Sequence, residues 1–188
     1  MGKNEARRTQ LKDAAIRVLA NKGSRGLTHR AVDAEAGVPA GTTSNYYGTR
    51  RALIDGLIER IGERLTPEPE VARHLASRRP SRKLYADYLR DIVRRLSRER
   101  DSALALFELR LEASRNPDVA EAIGGWLRAG YAADVEFTRD AKLPGGAFEI
   151  ALFHYALDGL MLDQLTIPMD PSVDSDKVID RLVKGLLR

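Results

Sequence analysis

The chain has 188 residues, of which 43% are hydrophobic and 31% are charged, with a formal net charge of +4 and no cysteine. The lack of cysteine excludes a disulfide framework, a thiolate zinc site and a cysteine nucleophile. The charged first ten residues do not look like a secretory signal, and no apolar run approaches the ~20 residues of a membrane-spanning helix. We therefore expect a cytoplasmic protein with no membrane partner.

The positive charge is concentrated in the first third of the chain. Residues 1–66 contain 12 of the 31 Lys and Arg residues but only 7 of the 27 Asp and Glu residues, so they carry +5, and the remainder carries −1. A basic segment followed by a nearly neutral body favours a phosphate-bearing partner such as nucleic acid. Many unrelated helical domains reach a similar charge, so the charge leaves both interpretations open.

Helical periodicity begins near the N-terminus. The first predicted helix ends between Gly23 and Gly26, and its apolar face comprises Leu11, Ala14, Ala15, Val18 and Leu19. Thr28 predicts the N-cap of a second helix, because its hydroxyl can accept from a free backbone N–H of the next turn. Gly37 predicts the left-handed residue that ends this helix.

A short helix and a longer helix follow. Pro39 predicts the first turn of the short helix, since proline has no N–H to leave unpaired, and we expect this helix at about residues 39–46. A longer helix after Gly48 has the apolar face Leu53, Leu57, Ile58, Ile61 and Leu65.

The remainder of the chain is predicted to be helical after one break. Three prolines within residues 66–80 predict a linker, so we place the domains at 1–66 and 81–188 with the linker at 67–80. Further helices are expected from near Ser81, Asp101, Asn116, Ala147 and Val178. No strand-length run alternates with period two, so we predict an all-α fold with about nine helices.

The last two predicted helices are unusually apolar. Only four residues interrupt the apolar character between positions 147 and 162, and a helix that is apolar nearly all round is buried on more than one side. The two helices and their two-fold mates would form a four-helix interface between subunits. The predicted dimer-interface residues are Phe153, Leu157, Leu160, Met161, Ile179, Leu182, Val183 and Leu186.

Residues 28–47 have the layout of a helix-turn-helix, in which the second helix enters the major groove of DNA. This second helix, the reading helix, carries short side chains that can reach base edges or phosphate oxygens, in the sequence "AGTTSNY". Arg50 and Arg51 begin the next helix, where outward N–H groups also favour phosphate. A helical hairpin without a ligand is the alternative interpretation of this segment.

The segment "GLTHRAVDAEAGVPAGTTSNYYGTRRALIDGLIERI" resembles the DNA-binding signature of the TetR family of bacterial transcriptional regulators. The resemblance is close over about the first 65 residues, and the remainder matches only in organisation. It implies a three-helix DNA-binding domain followed by an effector-binding and dimerisation domain. It also implies a homodimer on a palindromic double-stranded operator and a small-molecule effector that releases the DNA. Separately, we expect no cofactor and no metal.

Carried over by position, the resemblance implies a set of DNA-contacting residues. These are Thr28, His29, Arg30, Ala40, Gly41, Thr42, Thr43, Ser44, Asn45, Tyr46 and Arg50. Tyr47 stands where the family prefers phenylalanine, so we expect its ring in the core. Pro39 stands where the family often has serine, so the usual side-chain cap is missing. Asp33 occupies a position that usually takes a small residue, and the sequence does not indicate what satisfies its carboxylate.

Three aromatic residues and one arginine are candidates for the effector pocket. Tyr88, Phe107, Arg110 and Trp126 lie on successive predicted helices. Periodicity alone makes the rings core residues, so their place in a pocket is a hypothesis.

Two other functions are compatible with parts of the sequence. A helical enzyme could use His154 and Asp158, which lie one turn apart, but no nucleophile or metal set accompanies them, and a polar pair at a subunit interface is favoured. An architectural protein that binds DNA without sequence preference is the second alternative.

We predict a ligand-responsive transcriptional regulator, acting as a repressor.

Overall fold

The computed structural model describes residues 3–187. In this range the regular structure consists of ten α-helices, which confirms the all-α prediction. The helices are α1 (Lys3–Gly26), α2 (His29–Ala36), α3 (Thr42–Tyr46), α4 (Arg50–Arg64), α5 (Pro69–Ala76), α6 (Arg82–Arg98), α7 (Arg100–Ala113), α8 (Pro117–Asp140), α9 (Ala147–Leu165) and α10 (Ser175–Leu186). Across the described residues, none of these helices has the length and apolarity needed to cross a membrane.

Helix α5 lies in the segment that the sequence analysis interprets as a linker. It begins at Pro69, where a proline fits because the first helical N–H has no partner inside the helix. Leu75 is buried and anchors the last turn. The prolines therefore delimit an extra helix here, and this is why the structure has one helix more than the nine predicted.

The helices form two compact units. Unit 1 contains α1–α4 together with residues 99–126, which are α7 and the first part of α8. Unit 2 contains α5, α6, α9 and α10 together with the part of α8 that begins at residue 127.

In unit 1, helix α1 is the central element, since α2, α4 and α7 all pack against it. Its apolar face is fully buried, as periodicity predicts, and a break at Gly23 (φ 65°) ends its regular part. An ion-pair network also joins three of these elements. Asp13 accepts from Arg60 at 2.8 Å and pairs with Arg64 at 3.4 Å, and Arg64 reaches Glu99 at 2.7 Å. Helices α1 and α4 and the residue that precedes α7 are therefore joined by ion pairs as well as by packing.

In unit 2, helices α6, α9 and α10 pack against one another. The rings of Tyr85 and Phe153 are in contact, with centroids 5.0 Å apart, and burial raises the pKa of Tyr85 to about 12. Arg90 on α6 is bonded to Asp87 at 2.7 Å and to Asp180 on α10. Apolar and ionic contacts thus both hold α10 on the unit.

The predicted dimer residues are mostly part of this internal core. Five of them are buried within the single chain, namely Phe153, Leu157, Met161, Ile179 and Val183. Leu160, Leu182 and Leu186 are half-buried. The sequence pattern identified buried positions correctly but could not tell a face that packs on its own chain from one that awaits a partner.

A different face of α9 is open to solvent. Phe148, Tyr155 and Leu162 are 72%, 69% and 46% exposed. They follow one another at intervals of seven residues, which is about two helical turns, so they lie along one side of the helix. Three large apolar side chains in a row leave α9 with an uncovered apolar stripe.

Candidate nucleic-acid interface

Helix α2 begins and ends as its sequence predicts. Thr28 is the N-cap, and its Oγ1 accepts from the backbone N–H of Ala31 at 3.1 Å. Gly37 ends the helix in the left-handed conformation (φ 63°, ψ 38°), which glycine adopts without a steric penalty. The exposed Thr28 and Arg30 and the half-buried His29 therefore all lie at the N-terminal end of α2.

Helix α3 begins three residues later than predicted. It spans Thr42–Tyr46, because Gly41 adopts φ 89° and so interrupts any helix that would start at Pro39. Residues 40 and 41 instead form a turn, in which the N–H of Thr42 donates to the carbonyl of Pro39 at 3.1 Å. The N-cap residue is a glycine, which has no side chain to cap the helix.

Asp33 on α2 supplies the missing cap. Its Oδ2 accepts from the N–H of Gly41 at 2.8 Å, and its Oδ1 accepts from the N–H and the hydroxyl of Thr43 at 2.7 and 2.5 Å. The carboxylate is 3% exposed. Burial raises the pKa of Asp33, but the hydrogen bonds from Thr43 and Gly41 and the charge of His29 outweigh it, so the net pKa is lowered. Asp33 is therefore held as a buried anion.

Thr43 differs from its predicted place. It is 0% exposed, and its hydroxyl donates to Asp33 rather than pointing to solvent. The Thr43 side chain is therefore unavailable for a contact with DNA, because it forms the joint between α2 and α3. The sequence pattern "TTSN" gave all four residues the same interpretation, whereas the helix places one of them on its inner face.

Apart from the buried Thr43, the residues from Ala40 to Tyr46 are at least partly accessible to solvent. Ala40, Gly41, Ser44 and Asn45 are exposed, and Thr42 and Tyr46 are half-buried. The hydroxyl of Thr42 donates to the carbonyl of Pro39 at 2.6 Å, and that of Ser44 donates to the carbonyl of Gly41 at 2.9 Å. The hydroxyl hydrogens are therefore used within the turn and each oxygen remains an acceptor, while the Asn45 amide contains both a donor and an acceptor.

The end of α3 is fixed by His29 and Tyr47. Nε2 of His29 lies 2.6 Å from the carbonyl oxygen of Tyr47, and since a carbonyl only accepts, Nε2 carries the hydrogen. The Tyr47 ring is 5% exposed, as the sequence analysis predicts. It lies directly against Gly56 on α4, where an added Cβ would be 2.8 Å from its Cε1. Glycine at position 56 is therefore required by the close approach of the ring.

Arg50, whose contact with DNA stays a prediction, has hydrogen-bond partners within the chain. Its guanidinium donates to the carbonyls of Leu27 and Ser24, the latter at 2.8 Å, and to the Ser24 hydroxyl at 3.0 Å. These acceptors lie at the C-terminal end of α1 and in the turn that follows. Arg50 thus ties the start of α4 to the end of α1, and this commits its guanidinium to contacts within the chain.

Arg8 also lies beside α3, which its position in the sequence does not indicate. Its guanidinium carbon lies 5.5 Å from the ring centroid of Tyr46 and 5.6 Å from that of Tyr47, which is the geometry of a cation–π contact. The basic pair "RR" at positions 7 and 8 was the available signal, but only the fold brings it beside α3.

The four candidate pocket residues are divided between the two units. Tyr88 belongs to unit 2, where its ring meets Phe137 edge-on with centroids 5.2 Å apart. Phe107, Arg110 and Trp126 belong to unit 1. Trp126 lies against α4, since a Cβ added at Gly62 would be 3.3 Å from its Nε1. Their place in an effector pocket stays a prediction.

Two open grooves in unit 2 involve other residues. The larger, of about 510 Å³, lies along α5 and α6 and is lined by Glu70, Val71, His74, Leu75, Arg78, Asp87 and Arg94. The smaller, of about 450 Å³, lies at the start of α10 and is lined by Ser172, Val173, Asp174, Lys177, Val178, Arg181 and Leu182.

His154 has a partner other than the one the sequence suggested. Its Nε2 lies 3.0 Å from Oδ2 of Asp134 on α8, and the Tyr131 ring lies edge-on at 5.8 Å. Asp158 lies one turn further along α9. Among residues 3–187 no group of three or more His, Cys, Asp or Glu is arranged to hold a metal ion.

Comparison with known proteins gives both a family and a fold. A family model described as "Tetracyclin repressor-like, C-terminal domain" matches residues 80–188. The chain is similar to the multidrug binding protein EbrR in its complex with ethidium, at 26% identity and a TM-score of 0.67, over 97% of this chain and 99% of that one. A comparison with curated proteins finds no match.

Two further solved structures share the fold at lower identity. A member of the TetR family from Streptomyces coelicolor A3 is 24% identical with a TM-score of 0.64, over 100% of this chain and 99% of that one. A transcriptional regulator from Rhodococcus sp. Rha1 is 20% identical with a TM-score of 0.66, over 98% and 96%.

Proposed function

We propose that this chain, which belongs to the TetR family of transcriptional regulators, is a repressor that a small organic molecule releases from DNA. The observation that carries the proposal is the solvent-exposed end of α2 and α3, where short polar side chains sit on a supported helix-turn-helix. The positive charge of residues 1–66 would add salt-dependent affinity for phosphate.

The proposed reading surface is smaller than the sequence pattern suggested. The residues proposed to face the major groove are Ala40, Gly41, Thr42, Ser44, Asn45 and Tyr46. The residues proposed to contact the sugar-phosphate backbone of the DNA are Thr28, His29 and Arg30. Within this surface, Asn45 supplies a donor and an acceptor, whereas Thr42 and Ser44 supply acceptors and Thr42 adds a methyl group for thymine. Thr43 and Arg50 are assigned to holding the helices in place.

The functional unit is a homodimer. The apolar stripe Phe148, Tyr155 and Leu162 on α9 is the proposed contact, because three large apolar side chains in a row are otherwise left in water. A two-fold dimer presents two reading helices to two half-sites separated by one helical turn, about 34–36 Å, or a multiple of it.

The effector is a small organic molecule, and aromatic cations are the first compounds to test. Solved structures of EbrR contain ethidium, proflavin and malachite green. Phe107, Arg110 and Trp126 in unit 1 remain candidate pocket residues, and Tyr88 in unit 2 is a separate candidate. Helix α4 would carry the coupling, since Arg51 near its start donates to the carbonyl of Asp118 at 3.1 Å and Arg64 at its end pairs with Glu99.

The experiment is a selection of random duplexes by the purified protein at about physiological salt, beside the variants Asn45→Ala and Thr42→Ala. We expect one enriched palindrome, and about 1–3 kcal/mol less binding free energy for each variant at its base pair. Leu111→Ala, on the exposed face of α7, is the matched control and should select the wild-type sequence. Equal binding of all duplexes with a similar salt dependence would instead support an architectural protein.

The effector part of the proposal has its own measurement. Ethidium is titrated into the protein bound to the enriched duplex, and the free duplex serves as control because ethidium also binds DNA. Release of protein at concentrations that leave the free duplex unoccupied supports the proposal. An organic molecule that binds the dimer but leaves its affinity for the duplex unchanged would contradict the coupling.

A further inference from the structure

The reading helix is too short to be stable by itself. It has five residues, and isolated helices below about 12–15 residues are marginal in water. Its N-cap Gly41 has no side chain, so no hydroxyl or carboxylate of the N-cap residue itself can cap the helix. The backbone N–H groups of Gly41 and Thr43 therefore depend on a partner from elsewhere in the fold.

We propose that Asp33 is the positioning residue of the reading helix. Its carboxylate caps α3 from the preceding helix, and this sets the orientation in which Ser44 and Asn45 meet DNA. The proposal rests on the DNA-binding function proposed above for the role in recognition, but the cap itself exists in the free protein.

A carboxylate is the group that this geometry requires. The N–H of Gly41 donates to Oδ2, while the N–H and the hydroxyl of Thr43 donate to Oδ1, so the two backbone donors use different oxygens. An asparagine in the same place has only one acceptor oxygen, and its NH₂ group would face one of the two donors. Asp33→Asn keeps the shape of the side chain but leaves one backbone donor unpaired.

The charge of Asp33 opposes DNA binding, and this allows the positioning role to be separated from electrostatics. A carboxylate close to the reading helix repels phosphate, so its removal should strengthen binding to any duplex if charge were its only effect. Loss of the cap should instead weaken binding to the selected duplex. The two explanations predict changes of opposite sign.

Glu35 provides a matched control on the same helix. It is exposed and pairs with Arg17 at 2.7 Å, without a bond to α3. Glu35→Ala thus removes one negative charge two residues from Asp33 and leaves the cap in place. Any effect of charge alone should appear in both variants.

The first measurement uses the free protein and does not depend on a DNA sequence. Amide hydrogen exchange by NMR is recorded for wild type, Asp33→Ala, Asp33→Asn and Glu35→Ala. We expect the amides of Gly41 and Thr43 to exchange faster in Asp33→Ala, and at least one of them in Asp33→Asn, while Glu35→Ala keeps the wild-type rates. Unchanged exchange in both Asp33 variants would overturn the proposed cap, and Asp33→Asn serves if Asp33→Ala does not fold.

The second measurement uses the duplex that wild-type protein enriches from a random pool and, as reference, one duplex of unrelated sequence. We expect Asp33→Ala to bind the enriched duplex about 10-fold more weakly, which is the range of a lost N-cap, and to bind the reference duplex as well as wild type or better. Glu35→Ala should bind both as well as wild type or better. Stronger binding of the enriched duplex by Asp33→Ala would overturn the positioning role.

Failure of the proposed function gives a different result from failure of this inference. If wild-type protein enriches no duplex while exchange at Gly41 and Thr43 depends on Asp33, the DNA-binding proposal fails and the cap stands. If a duplex is enriched but Asp33→Ala behaves like Glu35→Ala in both measurements, the inference fails and the function stands.

Discussion

At the scale of single residues, Asp33 and Thr43 form a buried polar contact between α2 and α3. A buried carboxylate is unfavourable unless its oxygens are well hydrogen-bonded, and here both oxygens accept short bonds. Thr43 supplies two of the three donors, so the two residues depend on each other. A substitution at either position should therefore leave the other residue with fewer hydrogen bonds.

The contribution of Asp33 to stability should decrease as the pH is lowered. Because the folded-state pKa is lowered, the contribution is fully present above the unfolded value of about 3.9 and is lost as the pH falls through the folded value. We expect Asp33→Asn to lower the free energy of unfolding by about 1–3 kcal/mol at pH 7, with the difference shrinking below about pH 4. Urea denaturation of both proteins from pH 7 to pH 3 measures this, and a difference that grows toward acid would contradict it.

Arg50 should contribute more to the stability of the fold than to the affinity for DNA. Arg50→Ala removes a guanidinium that donates to Ser24 and Leu27, and we expect the free energy of unfolding to fall by about 1–3 kcal/mol, as for other hydrogen bonds to charged groups. Urea denaturation is the measurement.

Arg30→Ala is the matched control for Arg50. It removes the same charge from the start of α2 without taking a donor away from Ser24 or Leu27, so stability should change by less than about 0.5 kcal/mol while affinity for DNA falls. Equal stability of the two variants would mean that the bonds of Arg50 contribute nothing to folding.

At the scale of secondary-structure elements, α3 is defined by its neighbours. Asp33 of α2 caps its start, the carbonyl of Tyr47 at its end is held by His29, and the Tyr47 ring packs on α4. The position of α3 is therefore set by its contacts with α2 and α4, and both of these helices pack on α1. A change in the spacing between these helices would move the proposed reading surface.

Gly56 tests the contact between α3 and α4. In Gly56→Ala the new Cβ would lie 2.8 Å from Cε1 of the buried Tyr47 ring, so the ring or the helix must shift. We expect a loss of about 1–3 kcal/mol in the free energy of unfolding, typical of overpacking. Thermal and urea denaturation measure it.

Gly125 in α8 is the control for this substitution. A Cβ at Gly125 meets nothing within 4 Å, so Gly125→Ala should add about 0.5–1 kcal/mol through helix propensity alone. If both variants gained stability, the contact between Tyr47 and Gly56 would not be tight.

At the scale of the whole molecule, the exposed stripe on α9 predicts the subunit contact. Tyr155→Glu places a charge in the middle of this stripe, and we expect the proposed homodimer to dissociate to monomers at micromolar concentration because the charge would have to be buried. Sedimentation or light scattering gives the mass, and circular dichroism checks that the monomer is folded.

Leu111→Glu is the control for the dimer prediction. Leu111 is 58% exposed on α7, outside the stripe, so this variant should stay dimeric. A Tyr155→Glu protein that remains dimeric would direct the search for the interface to other surfaces.

Much of the fold could be predicted from the sequence, and so could the location of the candidate site. Periodicity gives the helices, and the caps at Thr28, Ser81 and Asn116 are confirmed by hydrogen bonds from the N–H groups of Ala31, Leu84 and Val119. The pattern from residue 28 to 47 locates the helix-turn-helix. Helix α5 was missed, because proline in a first helical turn has the same sequence signature as proline in a linker.

The sequence by itself determined the class of fold, the family and the segment that contains the proposed reading helix, because each depends on local periodicity and on residues adjacent in the chain. Only the tertiary structure decided which of these residues face solvent. Thr43 turned inward, Arg50 bonded to the end of α1, and Asp33 became the cap of a helix that it does not belong to. It also decided which face of α9 lies in the core. The physical reason is that hydrogen bonds and burial join residues from different helices, and the spacing of residues along one helix does not record them.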